Sequence, residues 1–197
     1  MFHRITPLLA LACLTFHFQT AVGKESNIGK KITPFTLDNC YGRAVSLDEL
    51  AGKQAIVVAF LGTECPLAKL YGPRLEKLQQ TFGTDDVAVI GINSNKQDSL
   101  TEVLAYSRRH EISFQMLKDL GNKIADAFAA ERTPEVFLLD SNFTVRYHGR
   151  IDDQYYVGGS RARPEVSELS DAIKQLLAGK DITIPETPVE GCHIGRV

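Results

Sequence analysis

Residues 55–82 read AIVVAFLGTECPLAKLYGPRLEKLQQTF, and their pattern changes once. Ala55 to Leu61 is a continuous apolar run, rich in β-branched residues. Its length suits a strand buried on both faces, as at the centre of a parallel sheet. Gly62-Thr63 breaks the run. Beyond the break Leu67, Leu70, Tyr71, Leu75, Leu78 and Phe82 recur at three- and four-residue steps, which predicts an amphipathic helix. Pro66 suits the first helical position, where its missing N–H is not needed. Cys65 therefore stands among unpaired N–H groups at the positive end of the helix dipole, a setting that favours thiolate over thiol. Gly72-Pro73 predicts a kink farther along, because Pro removes a backbone donor.

The chain has 197 residues, 44% of them apolar, enough for one well-cored domain with ends. Residues 1–23 have the form of a secretory signal: Arg4, an apolar stretch from Ile5 to Phe16, then Ala21-Val22-Gly23. That stretch falls short of the roughly 20 residues a membrane span needs. A lipoprotein acylated at Cys13 is the alternative, but Ala10 and Leu11 suit it poorly. Removing the segment takes away Arg4 and no acid, so the net charge moves from −2 to −3. No basic field invites nucleic acid. Export to a periplasm or cell envelope would leave Cys40, Cys65 and Cys192 where disulfides persist, and three is an odd number.

Residues 24–32 are a mixed-charge lead. Phe35 to Leu37 and Ala44 to Leu47 flank turn residues and predict a hairpin with Cys40 near its tip. Val87 to Ile92 predicts a second buried parallel strand, and Ser99 with Glu102 a capping box opening a helix to about His110. Phe114 to Leu117 and Lys123 to Ala130 read as a short strand and a short helix. Val136 to Leu139 is a third buried strand. Phe143, Val145 and Tyr147 alternate with polar residues as in a half-exposed strand. Ile151 to Arg163 reads as a polar surface loop, and Pro164 as the start of a last helix whose face is Val166, Leu169, Ile173, Leu176 and Leu177, ended by Gly179. From 179 to 197 the chain reads as an extended, mobile tail carrying Cys192.

AFLGTECPLAK, then Arg132-Thr133-Pro134 before VFLLD, together with the order of elements, resemble the thioredoxin-like superfamily. The likeness is closest to its redoxin branch, the alkyl-hydroperoxide-reductase/thiol-specific-antioxidant proteins, and covers about residues 33–178. The resemblance implies an α/β thioredoxin-like fold with a central mixed sheet flanked by helices and an added N-terminal hairpin. It implies that Pro134 is the cis-proline facing the active cysteine, Cys65. Ala68 replaces the second cysteine of a CxxC reductant. A peroxiredoxin would carry proline and threonine where Val58 and Gly62 stand, with Thr63 only two residues before the cysteine. Lys69 replaces the second cysteine of the copper-delivery branch.

A thiolate at Cys65 can attack a disulfide or a peroxide, and either reaction calls for a second thiol to reset it. Cys192 on the tail, of this chain or of a homodimer partner, is the better candidate for that resolving role, and Cys40 the other. The competing reading pairs Cys40 with Cys192 as a structural disulfide. Thr63 and Glu64 are candidates to hydrogen-bond or relay protons beside Cys65, though Glu64 would raise its pKa. Arg132 is a candidate to stabilise the thiolate. A cis bond before Pro134 would present the Thr133 main chain to an extended substrate. His193 beside Cys192 supplies too few ligands for a metal, and no cofactor is expected. The expected function is an exported thiol oxidoreductase acting on a protein or small-molecule disulfide or on a peroxide, with an external thiol as reductant. The alternative is a redox-silent module that binds an extended partner chain along Thr133-Pro134.

Overall fold

The computed structural model describes residues 26–83, 86–156 and 158–197, and the expected signal segment with Cys13 lies outside them. In chain order the elements are β1 (Thr36–Asn39), β2 (Ala44–Ser46), β3 (Ala55–Phe60), α1 (Pro66–Phe82), β4 (Val87–Asn93), α2 (Leu100–Arg109), β5 (Gln115–Lys118) and α3 (Lys123–Phe128). They continue with β6 (Arg132–Thr133), β7 (Glu135–Asp140), β8 (Val145–Gly149), β9 (Tyr155–Tyr156), β10 (Gly159–Ser160), α4 (Glu168–Leu177) and β11 (Cys192–His193). A seven-stranded mixed sheet runs in the order β2-β1-β5-β4-β3-β7-β8. Strand β3 lies at its heart, parallel to β4 and antiparallel to β7.

All six residues of β3 are buried because the sheet is covered on both faces. Side chains alternate across a strand, so Val57 and Ala59 pack with α1, α2 and α4, while Ile56, Val58 and Phe60 pack with α3 and the N-terminal lead. Ser99 caps α2 as its sequence predicts, its hydroxyl accepting the Glu102 N–H while the Glu102 carboxylate accepts the Ser99 N–H. Helix α1 runs through Pro73.

Four expectations need correction. Residues 151–154 are buried rather than a surface loop, because Tyr71 and Arg74 of α1 bond to Asp152 and Arg74 also to Gln154. Helix α4 begins at Glu168, not Pro164: the Asp153 carboxylate takes the N–H groups of Glu165 and Val166, fixing that stretch outside the helix and leaving Val166 exposed. Strand β8 is more buried than its alternation implies, because residues 185–187 lie along it and His148 stacks on Phe137. The tail is docked, not loose. Its His193-flanking strand pairs with β6, and Ile194 is buried in the core on the α3 side.

Candidate active site

The site forms where β3 ends and α1 begins. Cys65 is the N-cap residue of α1, with Pro66 following, so its sulfur lies at the positive end of the helix. Gly62 lets the approach to it pass close under its neighbours: a Cβ there would come within 2.6 Å of the Asn95 side-chain nitrogen and 3.0 Å of Thr133 Oγ1. The loop is held from below by Asp98, whose Oδ2 accepts the Thr63 N–H at 3.0 Å and the Asn93 and Asn95 amides at 2.6 and 3.0 Å. Thr63 is thus a buried part of the loop's scaffold.

Across from Cys65 runs the Arg132-Thr133-Pro134 turn, with a cis bond between Thr133 and Pro134. The Cys65 thiol donates to the Thr133 carbonyl at 2.9 Å. Glu135 supports the turn, its Oε2 accepting the N–H groups of Glu131 and Arg132. Its other oxygen meets His148 Nε2 at 2.7 Å.

The third side of the site is the chain's own C-terminus. Strand β11 pairs antiparallel with β6, with Cys192 opposite Thr133 and His193 opposite Arg132. This places Cys192 opposite the residue whose carbonyl meets the Cys65 sulfur, near enough for the two thiols to shift each other's titration. Burial pushes the Cys65 thiol up, but the Ala68 N–H in the first turn of the helix and the neighbouring Cys192 and Thr133 groups outweigh it. The net effect holds Cys65 below the ordinary thiol value. The same proximity works in reverse on its partner, since burial and the neighbouring Cys65 sulfur push Cys192 up to about 11. The two shifts run in opposite directions, so Cys65 is the more readily ionised thiol of the pair and Cys192 the less.

The remaining expected residues fall elsewhere. Glu64 stands in solvent and pairs with Lys69 at 2.9 Å. Arg132 donates to the Gly191 carbonyl at 2.8 Å, so it fastens the tail and its charge acts on Cys192. Cys40 is a free, buried thiol at the end of β1. Strand β1 is separated from β3 by β5 and β4, about 14 Å at ~4.8 Å per strand step, so Cys40 is not brought to Cys65 and the expectation that it resolves the site or pairs with Cys192 is corrected. Two residues went unforeseen. Asp98 gives no local signal of its role, because the loop it holds at Thr63 lies 35 residues away, although Asn93 and Asn95 stand close before it. Gly191 stood in plain view before Cys192, but the need for a residue without a Cβ appears only with the strand it packs on.

A cysteine at a helix start facing a cis-proline, on this sheet order, defines a thioredoxin-like protein. The chain belongs to the AhpC/TSA family, which matches it over residues 28–148. It is similar to the thiol-disulfide oxidoreductase ResA of Halalkalibacterium halodurans, 30% identical over 146 residues, covering 74% of this chain and 77% of that protein. It is also similar to the chloroplastic peroxiredoxin Q of Sedum lineare, 26% identical with coverages of 73% and 83%. Among solved structures, a hypothetical protein from Sinorhizobium meliloti 1021 superposes with a TM-score of 0.80 at 29% identity, covering 88% of this chain and 97% of that one. Cys192 lies beyond the family's matched residues.

Proposed function

We propose that this chain is a two-cysteine redoxin oxidoreductase in which Cys65 attacks the oxidant and Cys192 resolves the product. The observation that carries this reading is the β6–β11 pairing, which sets Cys192 opposite Thr133, the residue whose carbonyl accepts the Cys65 thiol. The relatives named for disulfide exchange and for peroxide reduction both fit it. With a peroxide ROOH, the Cys65 thiolate attacks one oxygen, a S–O bond forms, the O–O bond breaks, and the alkoxide leaves as ROH after taking a proton. Cys192 then displaces hydroxide from the sulfenic acid as water, leaving a Cys65–Cys192 disulfide. With a disulfide, Cys65 forms a mixed disulfide and releases one thiol, and Cys192 displaces the second. An external thiol reductant resets the pair.

The proton arrangement gives the steps their order. While Cys65 is anionic it keeps Cys192 protonated and unreactive. Once Cys65 has been consumed its charge is gone, and the part of the upward push on Cys192 that came from Cys65 is relieved while the larger part, from burial, remains. One chain supplies both sulfurs, so this cycle requires no second copy. The redox-silent alternative loses its support, since the main chain at Thr133 is already paired with the tail. We further propose that the protein acts after export, on the strength of residues 1–23.

Cys192→Ser tests the assignment. Its first equivalent of hydrogen peroxide or oxidised glutathione should still be consumed at Cys65, while steady turnover with a thiol reductant falls. Turnover equal to wild type would remove Cys192 from the cycle.

A further inference from the structure

The Thr133 main chain is the edge on which an extended partner would add as a strand. Here β11 occupies it. The fit is close: Gly191 has φ +150°, and a Cβ there would overlap the Thr133 carbonyl. Arg132 clamps the Gly191 carbonyl from the other side.

Both ends of the strand are tied down. Upstream, the His148 N–H donates to the Pro185 carbonyl at 2.9 Å and the Thr187 N–H to the His148 carbonyl at 3.0 Å, with His148 Nδ1 at 3.1 Å from Glu186. Downstream, the Ile194 N–H donates to the Glu131 carbonyl and its side chain is buried. The Gly195 N–H then donates to Asn95 Oδ1 and the Val197 N–H to Asn122 Oδ1, both at 2.9 Å. With the tail in place Cys65 is 4% exposed.

Three recesses border the site, the largest of about 490 Å³ between the Arg132 turn and residues 186–189 of the tail, and Cys65 lines none of them. One of about 100 Å³ is lined by Thr63, Glu64, Glu102 and Tyr106 on the α2 side. Another of about 250 Å³ is lined by Tyr71, Pro134, Tyr155 and Glu190 on the other. The smallest has the volume of about three water molecules at ~30 Å³ each. A six-residue extended segment spans about 20 Å and needs a paired edge instead.

We infer that β11 is a built-in occupant of the chain-binding edge, so that the oxidant taken by Cys65 is a small molecule with a reactive O–O or S–S bond and not a disulfide held in an extended polypeptide. This rests on the reading of Cys65 as the nucleophile. Gly191 is then the residue that sets the substrate class, since only without a Cβ does the tail lie against Thr133.

The test uses two variants of the full chain. In Cys40→Ser/Cys192→Ser the tail keeps its strand, Cys65 is left as the reacting thiol, and its adducts accumulate. Adding Gly191→Val places a side chain against the Thr133 carbonyl and lifts the strand. Arg132→Ala in the same Cys40→Ser/Cys192→Ser chain removes the clamp on the Gly191 carbonyl and serves as a second loosened form should Gly191→Val fail to fold. Each is mixed with hydrogen peroxide, bis(2-hydroxyethyl) disulfide, and the disulfide-linked dimer of a ten-residue extended peptide, and products at Cys65 are timed by intact mass. Lifting the strand should speed the peptide adduct by about tenfold or more, the worth of one or two main-chain hydrogen bonds regained, and the small reagents by much less. A peptide adduct formed as fast with the tail docked overturns the inference and leaves the Cys65 chemistry standing. Equal acceleration of all reagents also overturns it, since the tail would then be an unselective cover. If no variant reacts with either small reagent, the assignment of Cys65 fails and the inference falls with it.

Discussion

Cys192 stands directly opposite Thr133 in an antiparallel pair, and through that register a residue from the chain's last ten reaches a sulfur at the start of α1. The thioredoxin-like core supplies a thiol with no second cysteine in its own helix. The tail supplies one through backbone pairing.

The opposite shifts of the two thiols are measurable by alkylation. The rate at Cys65 should rise with pH about a midpoint below that of an ordinary thiol, and Cys192 should react with a midpoint near 11. Cys192→Ala removes a donor to the Cys65 sulfur, so the Cys65 midpoint should move up. Peptide-resolved labelling with iodoacetamide across pH reads both. A Cys65 midpoint at or above that of a free thiol would contradict the nucleophile assignment.

Gly62→Ala pushes a methyl group towards the Asn95 amide and Thr133 Oγ1. Overpacking of this kind costs about 1–3 kcal/mol. Because both displaced groups border Cys65, slower reaction with peroxide should accompany the loss of stability. Urea unfolding combined with stopped-flow oxidation checks the two effects in one sample.

Asp98→Ala leaves the Thr63 N–H and the Asn93 and Asn95 amides short of a buried acceptor, and should cost about 2–4 kcal/mol in urea unfolding. Burial raises the Asp98 pKa, but these donors outweigh it and hold the carboxyl below its ordinary 3.8. A depressed carboxyl contributes stability that is present above its unfolded value and is lost as pH falls through the folded one. Wild type should therefore lose stability on acidification below about pH 4 more steeply than Asp98→Asn, as followed by acid titration of the urea midpoint.

Cys40→Ser should leave the oxidation cycle intact, since β5 and β4 lie between β1 and β3. Placing a hydroxyl in that buried position should cost ~1–2 kcal/mol without slowing turnover. A Cys40-containing disulfide in oxidised wild type, mapped by mass, would contradict the geometry.

The sheet was legible where one residue pattern fixes one environment. The continuous runs at 55–61 and 87–92 read directly as buried strands, and Ser99 with Glu102 as a helix start. The place of Cys65 at a helix start was legible from its immediate neighbours, and the cis bond before Pro134 from the resemblance. What was not legible depends on contacts between distant segments. Nothing near Asp152 announces that Arg74 and Tyr71 will bury it. Nothing near Pro164 says that Asp153 will hold the next two residues out of the helix. The tail is the extreme case: its two prolines and weak periodicity read as a loose end. Its order comes from pairing with β6, burial of Ile194, worth about 1.5–3 kcal/mol for a side chain of that size, and hydrogen bonds to Asn95 and Asn122.

The central claim is that Cys65 and Cys192 form one redox couple within a single chain. One equivalent of hydrogen peroxide or oxidised glutathione added to the reduced protein, followed by acid quenching, proteolysis and mass mapping without reduction, tests it most directly. Monomeric protein should carry a Cys65–Cys192 linkage with Cys40 still a free thiol. A stable adduct or sulfenic acid on Cys65 with Cys192 reduced, or a linkage found only between two chains, would contradict it.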